Sequence, residues 1–118
     1  MAQQVSGVMC FSADMPAAAG TVTMTVPEGW MVLEVISNIQ VVLGGADVIE
    51  VGYTAAVDAF LADADQGTGA VGIYLASEGS AAKANGYKLG VGEAVLITRT
   101  GSTSGGGEEY VLAAQVVA

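Results

Sequence analysis

The sequence has no histidine, one cysteine and three basic residues among its 118 residues. Histidine is the usual general base and, with cysteine, the usual zinc ligand, so its absence removes both common catalytic triads and the common zinc sites. The single cysteine, Cys10, can form no internal disulfide and no thiolate metal cage. Since no histidine can activate its thiol, we expect Cys10 to be a small buried hydrophobe. The sequence therefore predicts a protein that is not an enzyme and that needs no cofactor or metal.

Charged side chains are scarce as well. They make up 13% of the chain, whereas an ordinary soluble domain has about 25%. Hydrophobic residues make up 53%. So few charges cannot cover the surface of a free monomer in the usual way, and we expect other subunits to cover part of the apolar surface.

The balance of charge is acidic, because Lys83, Lys88 and Arg99 oppose twelve carboxylates and leave a net charge of −9. Binding to a phosphate backbone or to an anionic membrane surface needs clustered basic residues. No apolar run approaches the ~20 residues that a membrane helix needs. The sequence thus predicts neither a nucleic-acid partner nor a membrane partner.

Alternation of apolar and polar residues predicts β-strands. TVTMTV, residues 21–26, places Val22, Met24 and Val26 on one face and three threonines on the other. A Pro-Glu-Gly turn then leads into WMVLEVISNIQVVL, residues 30–43, which also keeps a period of two. This arrangement predicts a hairpin.

The two faces of the run 30–43 differ in chemistry. One face is apolar and carries Met31, Leu33, Val35, Ile39, Val41 and Leu43. The opposite face is mixed in polarity, and such a face often belongs to an interface. The candidate interface residues on this mixed face are Trp30, Val32, Ile36, Asn38 and Gln40.

Short apolar runs continue to the end of the chain, separated by glycine-rich turns. They read DVIEVGY, IYLA, YKL, EAVLITRT and YVLAAQVV. Short strands at regular spacing, without a long amphipathic helix, predict an all-β chain with a single β-sandwich or jelly-roll-like domain of seven or eight strands over residues 21–118. Residues 1–20 have no cation and no sustained alternation, so we predict an N-terminal arm that orders on contact with a neighbour.

Three features are candidates for a ligand site. Asp58, Asp63 and Asp65 lie close together, but they lack the residue order and the distal glutamate of a calcium loop, which favours a solvated loop. GSTSGGGEE, residues 101–109, has no GK[ST] and joins two strands, so we expect a flexible loop and not a phosphate cradle. Trp30 is interpreted as an aromatic plug at one end of the sandwich, with an anchor for a carbohydrate or a partner as the alternative.

The middle of the chain combines WMVLEVISNIQVVL, a glycine break, DVIEVGY, the segment DAFLADAD, a glycine-rich turn and IYLA. Its Val-Gly pair leads into an aromatic-Leu pair, Phe60 and Leu61, which Asp58 and Asp63 flank. This order resembles small β-sandwich structural proteins of tailed bacteriophages and covers residues 21–117. The resemblance implies that residues 51–65 form a strand and then a surface crossover that returns Phe60 and Leu61 to the core.

Many proteins of this kind are head decoration, or cement, proteins, which lie on the outer capsid surface and are often trimers. The resemblance therefore implies a virion protein at the capsid surface, with two partners: the major capsid protein and further copies of itself in a homotrimer. A phage tail or tail-fibre-associated structural protein is one alternative. A carbohydrate-binding or receptor-binding β module is another, with the candidate stacking platforms Trp30, Tyr53, Tyr74, Tyr87 and Tyr110.

Overall fold

The computed structural model describes residues 4–117 of the chain. These residues form nine strands and two short 3₁₀ segments, Asp63–Gly69 and Ala76–Glu78. The strands are β1 (Gln4–Asp14), β2 (Gly20–Met24), β3 (Trp30–Val41), β4 (Val48–Tyr53), β5 (Ala56–Leu61), β6 (Gly72–Leu75), β7 (Tyr87–Lys88), β8 (Val95–Thr100) and β9 (Gly106–Val117). No helix in this part of the chain is long and apolar enough to cross a membrane.

The strands form two antiparallel sheets that pack against each other. Sheet A has the order β1-β9-β3-β6, and β7 pairs with the same edge of β3 as β6 does. Sheet B has the order β2-β8-β4-β5. The prediction of an all-β sandwich is therefore confirmed, with nine strands in the described residues.

The core lies between the inner faces of the two sheets. Sheet A contributes Val35, Ile39 and Val111, and sheet B contributes Val51 and Ile97; all are essentially inaccessible to solvent. Their β-branched side chains pack well on a pleated surface, because alternate residues of each strand point to the same side. Burial of each such side chain stabilises the fold by about 1.5–3 kcal/mol.

A β-bulge in β3 corrects one part of the sequence interpretation. The register between β3 and β9 shifts between Val32 and Glu34, so one extra residue interrupts the alternation. As a result Val32 is fully buried in the core and Leu33 is exposed, the reverse of the predicted faces. The prediction that Val32 belongs to an outer interface is wrong for this reason. The predicted inward position of Val35 and Ile39, beyond the bulge, is correct.

The segment 51–65 also differs from its predicted path. β4 ends at Tyr53, and a tight turn leads directly into β5, which pairs with β4 at the edge of sheet B. Phe60 and Leu61 are fully buried, as expected, but a strand places them there instead of a surface crossover. A helical turn follows them, in the 3₁₀ segment that begins at Asp63.

The N-terminal segment contains regular structure. β1 pairs with β9 in continuous register from Val8 to Asp14, after an irregularity between Val5 and Val8. Residues 7–10 are exposed on both sides, which is why no alternation marks the strand in the sequence. Residues 1–3 lie outside the described part of the chain, and a contact between residues 1–20 and a neighbouring subunit stays a prediction.

Candidate interface

The outer face of sheet A carries a row of mainly apolar side chains across four strands. Ser12 of β1 lies opposite Tyr110 of β9, Tyr110 lies opposite Ile36 of β3, and Ile36 lies opposite Leu75 of β6. Tyr110, Ile36 and Leu75 are partly exposed, and because Val35 and Ser37 point into the core, Ile36 points outward. We call this row, with its neighbours on the same side, the outer face of sheet A.

The next row toward the C-terminal end of β3 is more polar. It joins Asp14, Glu108, Asn38 and Ile73 in register across the same four strands. Partial burial raises the pKa of Tyr110, and the hydrogen bond and negative charge of Glu108 raise it further. This end of the outer face therefore combines exposed carboxylates with apolar surface.

The candidate interface residues predicted from the sequence fall into different places. Ile36 and Asn38 lie on the outer face of sheet A. Gln40 is exposed near the end of β3, where a second register irregularity separates Ile39 from Val41. Trp30 is partly buried, packs against the core and meets Phe11 edge-on with ring centroids 5.8 Å apart.

The position of Trp30 matches the aromatic-plug interpretation.

An open depression of about 400 Å³ lies beside Gln40. Within the described residues it is lined by Met15, Ala17, Gln40, Val41, Gly105, Gly106 and Gly107. This lining gives a small ligand few polar groups for orientation.

Cys10 is exposed on β1, contrary to the expectation of a buried hydrophobe. It lies opposite Leu112 of β9, and Leu112 lies opposite Glu34 of β3, so the thiol belongs to the outer face of sheet A. The burial expectation fails because β1 is an edge strand whose outer side has no second layer in the described chain. Glu34 accepts hydrogen bonds from the Ser77 amide and from its hydroxyl at 3.0 and 2.5 Å.

Three charged side chains are buried in the described chain, Glu109, Arg99 and Asp47, and the sequence analysis identified none of them. In sheet A, Glu109 is fully buried and accepts hydrogen bonds on both carboxylate oxygens from the hydroxyl of Ser37, its cross-strand partner. Desolvation raises the pKa of Glu109 to about 8, and the hydrogen bond from Ser37 opposes this only in part. Glu109 is therefore mostly protonated at neutral pH. The sequence signal that could have identified it is the period of two in β9, which places Glu109 on the same inward face as Val111.

In sheet B, Arg99 is fully buried and forms a salt bridge with Asp47 at 2.7 Å. Its guanidinium also donates to the carbonyl oxygens of Pro16, Ser104 and Gly105 at 2.7–2.9 Å. The hydrogen bond from Arg99 holds the pKa of Asp47 below its usual range, although burial acts in the opposite direction. This network fixes three separate chain segments at one end of the sandwich.

The same network corrects the expectation of a flexible loop at residues 101–109. Thr103 donates its amide and its hydroxyl to the two oxygens of Asp47, at 2.8 and 3.0 Å. Gly101 has φ +90°, and a Cβ at this position would clash with the Asp47 carboxylate. The loop is thus held from several sides, and β9 already begins at Gly106.

The side chains of Asp58, Asp63 and Asp65 are not arranged as a cation site. Asp65 accepts hydrogen bonds from the amides of Ala62 and Ser80 at 3.0 and 2.9 Å, so it stabilises the local turn. Burial and the negative charges of Asp58 and Asp63 raise the pKa of Glu50. Within residues 4–117, no group of three acidic or cysteine side chains is arranged to hold a metal ion.

The aromatic residues form pairs with each other. Tyr53 and Tyr87 stack with ring centroids 4.5 Å apart, and the Lys83 ammonium lies 5.4 Å from the centroid of Tyr87. The hydroxyl of Tyr87 donates to Glu93 at 2.8 Å, and this contact, with burial, raises the pKa of Tyr87 to about 12. The hydroxyl of Tyr74 donates to the carbonyl of Ala70. Ring faces that other side chains cover are poor platforms for a sugar.

No family model matches the chain, and no curated protein sequence matches it. Among solved structures, its fold is similar to that of a chain in the cyanophage Pam1 capsid asymmetric unit, with a TM-score of 0.60 and 19% sequence identity. The match covers 96% of this chain and 86% of that chain, so the two chains are similar in length. At this identity the likeness establishes a shared fold.

Proposed function

We propose that this chain is a structural virion protein of a tailed bacteriophage, a head decoration (cement) protein that binds the outer capsid surface and stabilises the shell. Its partners are the major capsid protein and two further copies of itself in a homotrimer. It works by contact and carries out no reaction. The observation that carries the proposal is the fold likeness to a Pam1 capsid chain over nearly the full length of both chains.

The surface chemistry supports an assembly role. The row of Tyr110, Ile36 and Leu75 leaves apolar surface on the outer face of sheet A. The chain has too few charged residues to offset this apolar surface and keep a free monomer soluble. Burying such a face in a closed symmetric assembly removes it from water without growth into fibres. A trimer that touches several capsid subunits adds contacts that must break together, so modest interfaces sum to a large barrier.

Two alternative functions have weaker support. A tail-associated role uses the same kind of sandwich, but the structural likeness is to a chain from a capsid. A carbohydrate-binding role needs open aromatic faces, whereas Tyr53 and Tyr87 cover each other and Trp30 packs against Phe11. Both observations favour the capsid.

The proposal is tested by adding the purified chain to capsids of the encoding phage that were assembled without it. We expect the chain to sediment with the shells and to raise the temperature at which they release their contents. Ile36→Asp on the outer face of sheet A should lose both effects. Thr23→Asp, which changes an exposed residue of sheet B to the same side chain, is the matched control and should keep them. If the wild-type chain neither sediments with the shells nor protects them, the proposed function is wrong.

A further inference from the structure

The two edges of sheet A expose large apolar side chains. On β1, Val8 and Met9 are 58% and 52% exposed. At the opposite edge, Ile73 of β6 and the preceding Val71 are 66% and 62% exposed. Proteins usually protect a sheet edge with charges, prolines or covering segments, because an open edge pairs readily with another chain. Sheet A therefore has two edges suited to association.

Neither edge has a backbone partner within residues 4–117. β1 pairs only with β9, β6 pairs only with β3, and no loop in this part of the chain forms backbone hydrogen bonds along their outer sides. The regular part of β1 runs over seven residues, from Val8 to Asp14, which is longer than the four residues of β6. Both strands thus offer free amide and carbonyl groups for a ladder.

The strand directions allow the two edges to pair with each other. Each neighbouring pair in the path β1-β9-β3-β6 is antiparallel, so β1 runs parallel to β3 and antiparallel to β6. When copies are related by rotation about an axis parallel to the strands, residues 12–14 of one copy meet β6 of the next and Val8 meets β7, both in antiparallel orientation. β6 carries no charged residue and β1 carries one, Asp14, so this contact avoids most of the repulsion expected from a net charge of −9.

We propose that three copies of this chain pair head to tail through these edges, with β1 of one copy beside β6 and β7 of the next, and that the outer faces of sheet A turn toward the three-fold axis. This inference rests on the proposed function only for the self-association of the chain. It assigns the edges to contacts between copies and the row of Tyr110, Ile36 and Leu75 to the centre of the trimer.

The dimensions of the sheet favour three copies. With strands about 4.8 Å apart, four strands per copy give a side of ~19 Å. The centre of a triangle with that side lies ~5.5 Å from each sheet, close to half of the ~10 Å at which β-sheets pack face to face. Four copies would leave each sheet ~10 Å from the axis, twice the distance that side chains fill. Three copies therefore bury the outer faces without a central hole.

The test uses one variant at each edge. In register across sheet A, Val8 lies level with Lys88, and Ile73 lies level with Asp14. Val8→Lys and Ile73→Glu each place like charges at the proposed contact, and both residues are exposed, so neither change removes core packing. By light scattering after size exclusion, we expect a trimeric wild type and two monomeric variants. An equimolar mixture of the variants should form a dimer, since one intact contact can form between them.

The controls are Val57→Lys and Val57→Glu, which change an exposed valine of β5 in sheet B, outside both edges of sheet A. Both should remain trimeric, and circular dichroism should show that every variant is folded. The inference is overturned if either edge variant stays trimeric, if the mixture stays monomeric, or if the wild type is monomeric. A chain that trimerises in this way but does not bind capsids would contradict the proposed function and leave this inference intact.

Discussion

The two sheets of the sandwich present different outer faces to their surroundings. In sheet B, one cross-strand row consists of Thr21, Thr98 and Glu50, with the two threonine hydroxyls 3.3 Å apart. The matching row in sheet A consists of Tyr110, Ile36 and Leu75. Threonine side chains suit a strand that faces water, whereas the row in sheet A leaves apolar surface exposed. The difference fits the proposal that sheet A contacts other chains while sheet B faces solvent.

The inner faces differ in how they accommodate a buried charge. Sheet B buries Arg99 with an opposite charge, Asp47, and with several carbonyl oxygens. Sheet A buries Glu109 with a hydroxyl, that of Ser37. A buried charge with an opposite charge and several hydrogen-bond partners remains ionised, whereas a buried carboxyl without a cation becomes neutral by protonation. The stability of sheet A should therefore depend on pH near neutrality.

The largest effect is expected from Arg99→Met. Removal of the guanidinium leaves Asp47 buried without its cation and releases the loop at residues 101–105, so we expect the melting temperature to fall by about 10 °C or more. Lys88→Met removes an exposed cation with the same change in net charge and should change it by no more than about 2 °C. Similar melting temperatures for the two variants would show that the buried pair does not hold this end of the sandwich.

An effect of comparable size that depends on pH is expected from Glu109→Gln. The pKa of Glu109 is about 8 in the folded chain and 4.5 as the ordinary value, so the folded state binds the proton more tightly. Its contribution to stability is complete below pH 4.5, decreases between pH 4.5 and 8, and is lost above pH 8. The glutamine stays neutral throughout. Relative to the variant, the wild type should lose up to about 4–5 kcal/mol of unfolding free energy between pH 4.5 and 9.

This comparison is measured by urea unfolding of both proteins across the pH range. Since both carry the other carboxylates, their difference isolates position 109 from the general effect of net charge. A difference in unfolding free energy that does not change with pH would mean that Glu109 is already ionised in the folded chain.

The contrast between the outer faces can be probed through Cys10, which lies on the outer face of sheet A. If this face is enclosed in the trimer, a maleimide should react with the wild-type thiol at least about tenfold more slowly than with the thiol of Ile36→Asp, because reaction needs access to the thiolate. Thr23→Asp should react at the wild-type rate. Equal rates in all three proteins would mean that the outer face of sheet A is open to solvent.

The smallest effect is expected from salt. Asp14 and Glu108 lie in one row of the outer face, so a trimer brings several carboxylates together at one end of its axis. Raising the ionic strength from 0.1 to 1 M shortens the Debye length from about 10 to about 3 Å and should strengthen the trimer a few-fold. Analytical ultracentrifugation at both salt concentrations measures this change, and a trimer that weakens with salt would contradict the arrangement.

The fold could be predicted from the sequence because alternation is a local property. TVTMTV and EAVLITRT alternate clearly, and both form strands close to their predicted positions. The bulge in β3 could not be predicted, since it depends on how β9 pairs with Val32 and Glu34 across the sheet. One extra residue there moved Val32 into the core and reversed the predicted face at that end of the strand.

Contacts between residues distant in sequence explain the other differences. Arg99 and Asp47 are 52 positions apart, and Ser37 and Glu109 are 72 positions apart, so no local pattern indicates that they meet. β1 has exposed residues on both sides over residues 7–10 and gains its strand conformation from the backbone ladder with β9. Ile36 and Asn38 were predicted correctly on an outer face because they follow the bulge, where the period of two continues undisturbed.

The most direct test of the account is cryo-electron microscopy of particles from the encoding phage, prepared with and without this chain, at a resolution that separates β-strands. The account predicts added density on the outside of the shell at local three-fold positions. This density should fit three copies and enclose Ile36 and Tyr110 between chains. Identical maps of the two preparations, density in the tail, or copies whose outer face of sheet A is open to solvent would contradict the account.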